Sequence, residues 1–293
     1  MKKNTYLLIG IFAVLVLAAI ILMNRPGERN ISADNSQFLF AIDSVSVDKV
    51  VLQSPLSTVT LVKKGSEWFL IEPVDYRADQ SSVTLLIHQS KDLDAKGIVS
   101  NNPDKRSIFQ VDSTGTLVRI FQNGQEHAAF VVGKTGQSYA ETYVRKAESN
   151  EVNVVMGALS RLFNKPVKDW RDKTVLTMPR ETIRKISYQY SGEGFTLIFK
   201  DSLWMLGNDK AKAGEVTSLL GVLSNVQADD FIDSPLTPAP KITATVSVGD
   251  SQIRLAEIKD KDRYYVQTSN SPQWFELQAW RVKQMLKHKK DLL

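Results

Sequence analysis

Apolar and polar positions alternate with a period of two in two well-separated stretches. Ile186, Tyr188 and Tyr190 stand against Ser187 and Gln189, and Ile242, Ala244, Val246 and Val248 against Thr243, Thr245 and Ser247. That period places one face of a strand in a core and the other in water. A 3.6-residue period runs through Val216, Leu219, Leu220, Leu223 and Val226, and another through Val152, Val155, Met156, Leu159, Leu162 and Phe163. Helices are expected at both.

The pattern occurs twice. Val50 and Ile186, Leu61 and Leu197, and Trp68 and Trp204 are each 136 residues apart, and both tryptophans are expected in a core. After the tryptophan the offset becomes 133, pairing Val83 with Val216, Leu86 with Leu219 and Ala95 with Ala228. Tyr143 and Val144 then match Tyr265 and Val266 at 122. Loops absorb such length changes at small cost. Each copy is expected to run three strands, a helix, three or more strands and a closing helix, the closing helices covering 151–164 and 273–287. Short turns at Lys64-Gly65, Asn123-Gly124 and Gly249-Asp250 favour antiparallel pairing. The expected fold class is α+β, two tandem repeats of antiparallel sheet covered by helices, over 38–178 and 179–293. Met178-Pro179-Arg180 interrupts the pattern between them.

Ahead of the repeats, residues 6–23 carry no charge, and twelve of these eighteen are Leu, Ile, Val or Phe. Eighteen helical residues span roughly 27 Å, close to the hydrocarbon thickness of a bilayer. Insertion is favoured by roughly 4 to 7 kcal/mol as an upper bound. Lys2 and Lys3 precede the stretch, while Arg25 and Arg29 after it are offset by Glu28 and Asp34. A single-pass anchor is therefore expected in an inner or plasma membrane, with 1–5 cytoplasmic, 24–37 a tether, and the bulk periplasmic or extracellular. The lipid bilayer is the first expected partner. A cleaved signal peptide is the rival, but its apolar region is normally shorter and ends at a small-x-small site, whereas Leu22 and Met23 run into Asn24 and Arg25.

The 293 residues include no cysteine, and 37 Lys and Arg oppose 32 Asp and Glu, net +5. Lys2, Lys3 and Arg25 lie ahead of the first acid, so the remainder carries 34 − 32 = +2. This gives no nucleic-acid footprint, and without cysteine there is neither a disulfide framework nor a thiolate metal site.

Trp68 opens the run Trp-Phe-Leu-Ile-Glu-Pro-Val-Asp-Tyr-Arg-Ala-Asp, ending at Asp79 ahead of a helix bearing Val83, Leu86 and Ile87. With Phe40, Asp43, the strand Val47-Asp48-Lys49-Val50 and the segment Trp170-Arg171-Asp172-Lys173, it resembles the bacterial family of uncharacterised domains numbered 4340. The likeness covers most of 38–293; the second copy departs from it, with Lys212 opposite Asp79 and no proline after Trp204. The resemblance implies a membrane-tethered protein, often encoded beside ABC-transporter components of the gliding-motility type, with no established enzymatic activity. Read from the residues alone, Asp79 caps the following helix and Pro73 ends a strand.

Catalytic chemistry finds little support. Gly133-Lys134-Thr135 resembles the end of a phosphate loop, but Ala128 stands where the first glycine is needed. His88, His127 and His288 show no ligand spacing. Asp75 with Asp79, or Asp229 with Asp230, are the carboxylate pairs available for glycosidase chemistry, and there is no Gly-x-Ser-x-Gly turn. Trp274 and Trp280 are candidates for sugar stacking, and Lys283, Lys287, Lys289 and Lys290 form either a solvated helix end or an anionic-lipid contact. No catalytic, cofactor-binding or metal residue is assigned. The expected role is a non-catalytic accessory or binding protein, the resemblance adding protein partners in an ABC-transporter-type envelope complex; the alternative is an envelope glycan-binding module or hydrolase.

Overall fold

The computed structural model describes residues 12–18, 37–91, 93–259 and 261–293. Residues 12–18 form a helix, α1, with Phe12, Val14, Leu15 and Leu17 exposed. The rest of the expected anchor, the start at 1–5 and all of the tether but Gln37 lie outside the described residues. Among the described residues no helix is long and apolar enough to cross a membrane.

The chain forms two compact units, Met1–Asp172 and Lys173–Leu293. The fold is sheet-rich α+β, mostly antiparallel sheet with a few helices. In the first unit β1 (Gln37–Phe38), β2 (Val47–Gln53), β3 (Thr58–Lys64), β4 (Glu67–Glu72) and β5 (Tyr76–Arg77) precede α2 (Gln80–Lys91). There follow β6 (Asp94–Ser100), β7 (Thr116–Gln122), β8 (Gln125–Thr135), β9 (Glu141–Lys146), β10 (Val152–Met156) and α3 (Leu159–Phe163). The second unit holds β11 (Thr174–Thr177), β12 (Lys185–Tyr190), β13 (Gly194–Lys200), β14 (Leu203–Leu206), β15 (Asp209–Lys210) and α4 (Ala213–Leu223). It continues with β16 (Asn225–Gln227), β17 (Asp230–Ile232), β18 (Ala244–Val248), β19 (Ser251–Glu257), β20 (Arg263–Thr268), β21 (Trp274–Gln278), α5 (Ala279–Met285) and α6 (Lys289–Leu292).

The two large sheets share one strand order. The first runs β6-β10-β9-β8-β7-β2-β3-β4-β5 with β1 added beside β6, and the second runs β17-β21-β20-β19-β18-β12-β13-β14-β15. Their registers agree as well. Val50 faces Leu61 and Ile120, and Leu61 faces Leu70; at the equivalent places Ile186 faces Leu197 and Val248, and Leu197 faces Leu206. All eight side chains are buried, each worth roughly 1.5 to 3 kcal/mol relative to exposure. Each unit buries the same helical stripe, Val83 and Leu86 on α2 and Val216 and Leu219 on α4. A slip of one residue would turn these apolar sets outward, so core and register specify each other.

The closing helices differ from expectation in the same way in both units. Residues 152–156 and 274–278 are strands, and only 159–163 and 279–285 are helical. In β10, Val155 belongs to the main core, while Val152 and Val154 join a second cluster with Val111, Val131 and Tyr143 on the opposite face. With both faces covered, Val152, Asn153, Val154 and Val155 are all buried, so the strand shows no alternation of apolar and polar positions by which a period of two could be read. Trp204 also departs from expectation: it is half-buried, tilted against Phe199 at 5.5 Å, whereas Trp68 is buried. Gln80 bonds to both the amide and the carbonyl of Trp68, fixing that strand against α2, and Ala213, which has no such side chain, stands at that place in the second unit.

Candidate functional site

Two of the segments that carry the family likeness, the run from Trp68 to Asp79 and the one opening at Trp170, meet in the first unit. The Trp68 amide donates to Gln80 Oε1 at 2.8 Å, and Gln80 Nε2 donates to the carbonyls of Trp68 and Ala78 at 2.9 and 2.7 Å. Asp79 Oδ1 accepts from the Ser82 amide and the Ser81 hydroxyl, both at 2.6 Å, which caps the first turn of α2. Burial raises the Asp79 pKa, but these bonds and the nearby Lys165 charge outweigh it, leaving the carboxyl below its ordinary range. Trp170, fully buried, accepts the Asp79 amide at its carbonyl, and Arg171 lies over the Tyr76 ring. Asp172 pairs with Arg77 at 2.6 Å. The Trp68 and Trp170 segments thus form one clasp around the start of α2.

Beside that clasp, between α2 and the β3–β4 hairpin, lies a cleft of about 570 Å³. Trp68 and Ile87 give it an apolar floor, Ser44, Ser66 and Thr84 contribute hydroxyls, and Lys63, His88 and Lys91 contribute basic groups. The acid in its lining is Glu67, whose two oxygens are taken by Arg77 at 2.8 and 3.3 Å. Asp43 lies near Lys91, but its carboxylate is held by Ser46 and the Val45 amide, hydrogen bonds that keep its pKa low.

The second unit fills the same place. The turn before β2 and the one before β12 share a hydrogen bond, Ser46 amide to Asp43 carbonyl in one and Thr182 amide to Pro179 carbonyl in the other, each 3.1 Å. Ser44 and Arg180 therefore correspond at the offset of 136. On the helices the offset of 133 aligns Thr84 with Thr217, whose hydroxyls bond back to Gln80 and Ala213 alike, and so His88 with Gly221 and Lys91 with Ser224. Arg180 lies across α4, its Nε 3.4 Å from Ser224 Oγ, and a Cβ on Gly221 would come 3.2 Å from its guanidinium. Where the second unit seats an arginine, the first has a serine and an open cleft.

The remaining sequence candidates are dispersed. Asp75 is exposed and sits 3.7 Å from Lys64. Asp229 accepts the Gln278 amide at the start of α5 and pairs with Arg281 at 3.4 Å, while Asp230 accepts the amide of Phe231. His127 contacts the Ala41 carbonyl, His88 lines the cleft, and His288 stacks on Tyr190 in the other unit. Among the described residues no group of three or more acidic or histidine side chains is placed to hold a metal ion. Gly133 lies within β8, where a Cβ would come 2.2 Å from the Phe109 carbonyl, so its small size admits a crossing segment. Of the terminal lysines, Lys287 reaches Glu215 at 3.1 Å and Lys289 Glu193 at 3.9 Å. Trp280 is half exposed, covered on one side by Arg281, in a hollow of about 170 Å³ with Asn225, Gln227 and Gln284.

Sequence reasoning missed Ser44, Lys63 and Lys91, polar and scattered over two elements and a turn. The offsets of 136 and 133, extended from the core to the surface, carry the signal that pairs Ser44 with Arg180 and His88 with Gly221. No curated protein and no solved structure matches the chain. The model of the family described as Domain of unknown function (DUF4340) matches residues 68–245, opening on the tryptophan of the clasp, and the chain belongs to that family.

Proposed function

We propose that this chain is a non-catalytic accessory or binding protein, held by residues 6–23 in an inner or plasma membrane with its two sheet units on the extracytoplasmic side. The observation that carries this is the use made of its acids: Asp79 caps α2, Asp229 holds the entry to α5, and Glu67 and Asp172 clamp Arg77. These carboxylates serve the protein's own backbone and ion pairs, whereas a glycosidase needs two of them flanking one bond. The uncharged run from Tyr6 supports the anchor, and the shared strand order of the units fits an ancestral duplication. Partnership with an ABC-transporter-type envelope complex rests on the family likeness. Mild crosslinking in native membranes followed by purification tests it: a permease or ATPase recovered in stoichiometric amount supports the assignment, and a chain recovered alone at every crosslinker dose opposes it.

A second reading, an envelope glycan-binding module, is favoured by Trp280, whose exposed ring lies beside three amide side chains as sugar-stacking sites require. Trp280→Ala should abolish retention on purified cell-wall glycan if that reading holds.

A further inference from the structure

We propose that the cleft of the first unit binds a small soluble organic anion, an oxyanion head group on an apolar body. The inference deepens the binding-protein reading and rests on it, while using neither the transporter link nor the membrane topology. Lys63 and Lys91 bring positive charge to one concavity that His88 also lines, and the nearby acids are already engaged, Glu67 by Arg77 and Asp43, beside Lys91, by Ser46 and the Val45 amide. Basic groups gathered around a hollow with low-dielectric walls focus a positive potential into it, which an oxyanion relieves. The hydroxyls of Ser44 and Ser66 supply donors, and Trp68 and Ile87 form a floor for the apolar body, the usual division of a small-molecule site.

The second unit serves as an internal comparison. With the same strand order and register, it seats Arg180 over Gly221 and Ser224. In the first unit the arginine is replaced by Ser44, and basic residues stand on the helix at the positions of that glycine and serine. Two sets of residues, in the turn and on the helix, thus differ together, and both differences leave this cleft open and cationic.

The test is titration calorimetry of the full chain in phosphatidylcholine nanodiscs, with phenyl phosphate as the probe and phenol as its neutral counterpart. The expected result is one saturable site for phenyl phosphate, at least tenfold tighter than phenol and weakening as salt rises. Lys63→Gln with Lys91→Gln should weaken it tenfold or more, and Ser44→Arg, which copies the second unit, should abolish it, with thermal unfolding unchanged in the lysine pair. Absence of saturable binding to the wild-type chain, equal binding of phenol, or wild-type affinity in the lysine pair would each overturn the proposal. Nanodiscs containing phosphatidylglycerol separate the sources of the head group: unchanged affinity supports a soluble ligand, and displacement of the probe by the lipid overturns it. Partner crosslinking does not depend on this cleft, so the two claims fail separately.

Discussion

The amide of Asp79 donates a 2.9 Å hydrogen bond to the carbonyl of Trp170, and in the second unit the amide of Lys212 donates one of 2.8 Å to the carbonyl of Leu292. In both units the segment after the closing helix returns to the first turn of the long helix and satisfies one of its orphan amides. Trp170 and Leu292 are fully buried, so each return is anchored by an apolar side chain. In each unit the return that follows the closing helix is tied to the start of the long helix.

If that anchor sustains the first unit, Trp170→Ala should cost about 3 to 5 kcal/mol, and Trp68→Ala a similar amount. Trp204→Ala, at a half-buried ring, should cost roughly 1 to 2 kcal/mol, in proportion to the smaller area removed from water. Urea unfolding followed by circular dichroism reads all three, and equal losses at Trp68 and Trp204 would contradict the difference in burial.

The Asp79 cap has a pH signature. Its folded pKa lies below the ordinary carboxylate value near 3.9, so the stability it contributes is complete above that unfolded value and is lost as pH falls through the folded one. Asp79→Ala should lose about 1 kcal/mol at pH 7, and Asp79→Asn much less, because an amide oxygen still caps. The Asn variant should also show a smaller stability difference between pH 7 and pH 3 than the wild type.

The carboxyl-terminal return of the second unit is held by two tyrosines, with Tyr188 Oη donating to the Met285 carbonyl at 2.9 Å and Tyr190 Oη to the Lys287 carbonyl at 2.7 Å. Tyr188→Phe should cost about 1 to 3 kcal/mol, since it leaves a carbonyl without its partner in a buried place. Burial pushes the Tyr190 pKa up to about 12 and the Tyr188 value higher still. Their stabilisation is therefore present below an unfolded pKa of about 10 and lost as pH rises through the folded values. Alkaline unfolding of the double Phe variant should begin at higher pH, relative to its own neutral stability, than that of the wild type.

The acids divide into two classes by their partners. Asp75→Asn should leave stability and cellular function near wild type, as its pairing with Lys64 is exposed and worth little. Asp229→Ala removes the acceptor for the Gln278 amide and should cost about 1 to 2 kcal/mol. Full loss of function in a stable, membrane-inserted Asp75→Asn chain would contradict the non-catalytic account.

The alternating strands and the buried helical stripes were legible because a half-exposed strand and an amphipathic helix print their period on the sequence. Ile186, Tyr188, Val216 and Leu219 fall where their spacing places them. Val152 to Met156 could not be assigned this way, since Val154 and Val155 point to opposite faces and both are covered. The joint between units falls after Asp172, six residues before the expected one, because β11 pairs with β16 of the second unit. The cleft was least legible: Ser44, Lys63 and Lys91 have no periodic reason to be noticed, and only alignment with Arg180, Phe199 and Ser224 sets them apart.

Tethering of the chain with its sheet units outside the cytoplasm can be read from a single introduced cysteine. The sequence contains none, so Tyr139→Cys, at a loop position that is 95% exposed, places one reactive thiol on the first unit. Intact spheroplasts are treated with a membrane-impermeant maleimide and then fractionated. The expected result is a labelled, full-length chain that sediments with the membranes. Labelling that requires lysis, or a labelled chain found free of the membrane and lacking residues 1–23, would contradict it.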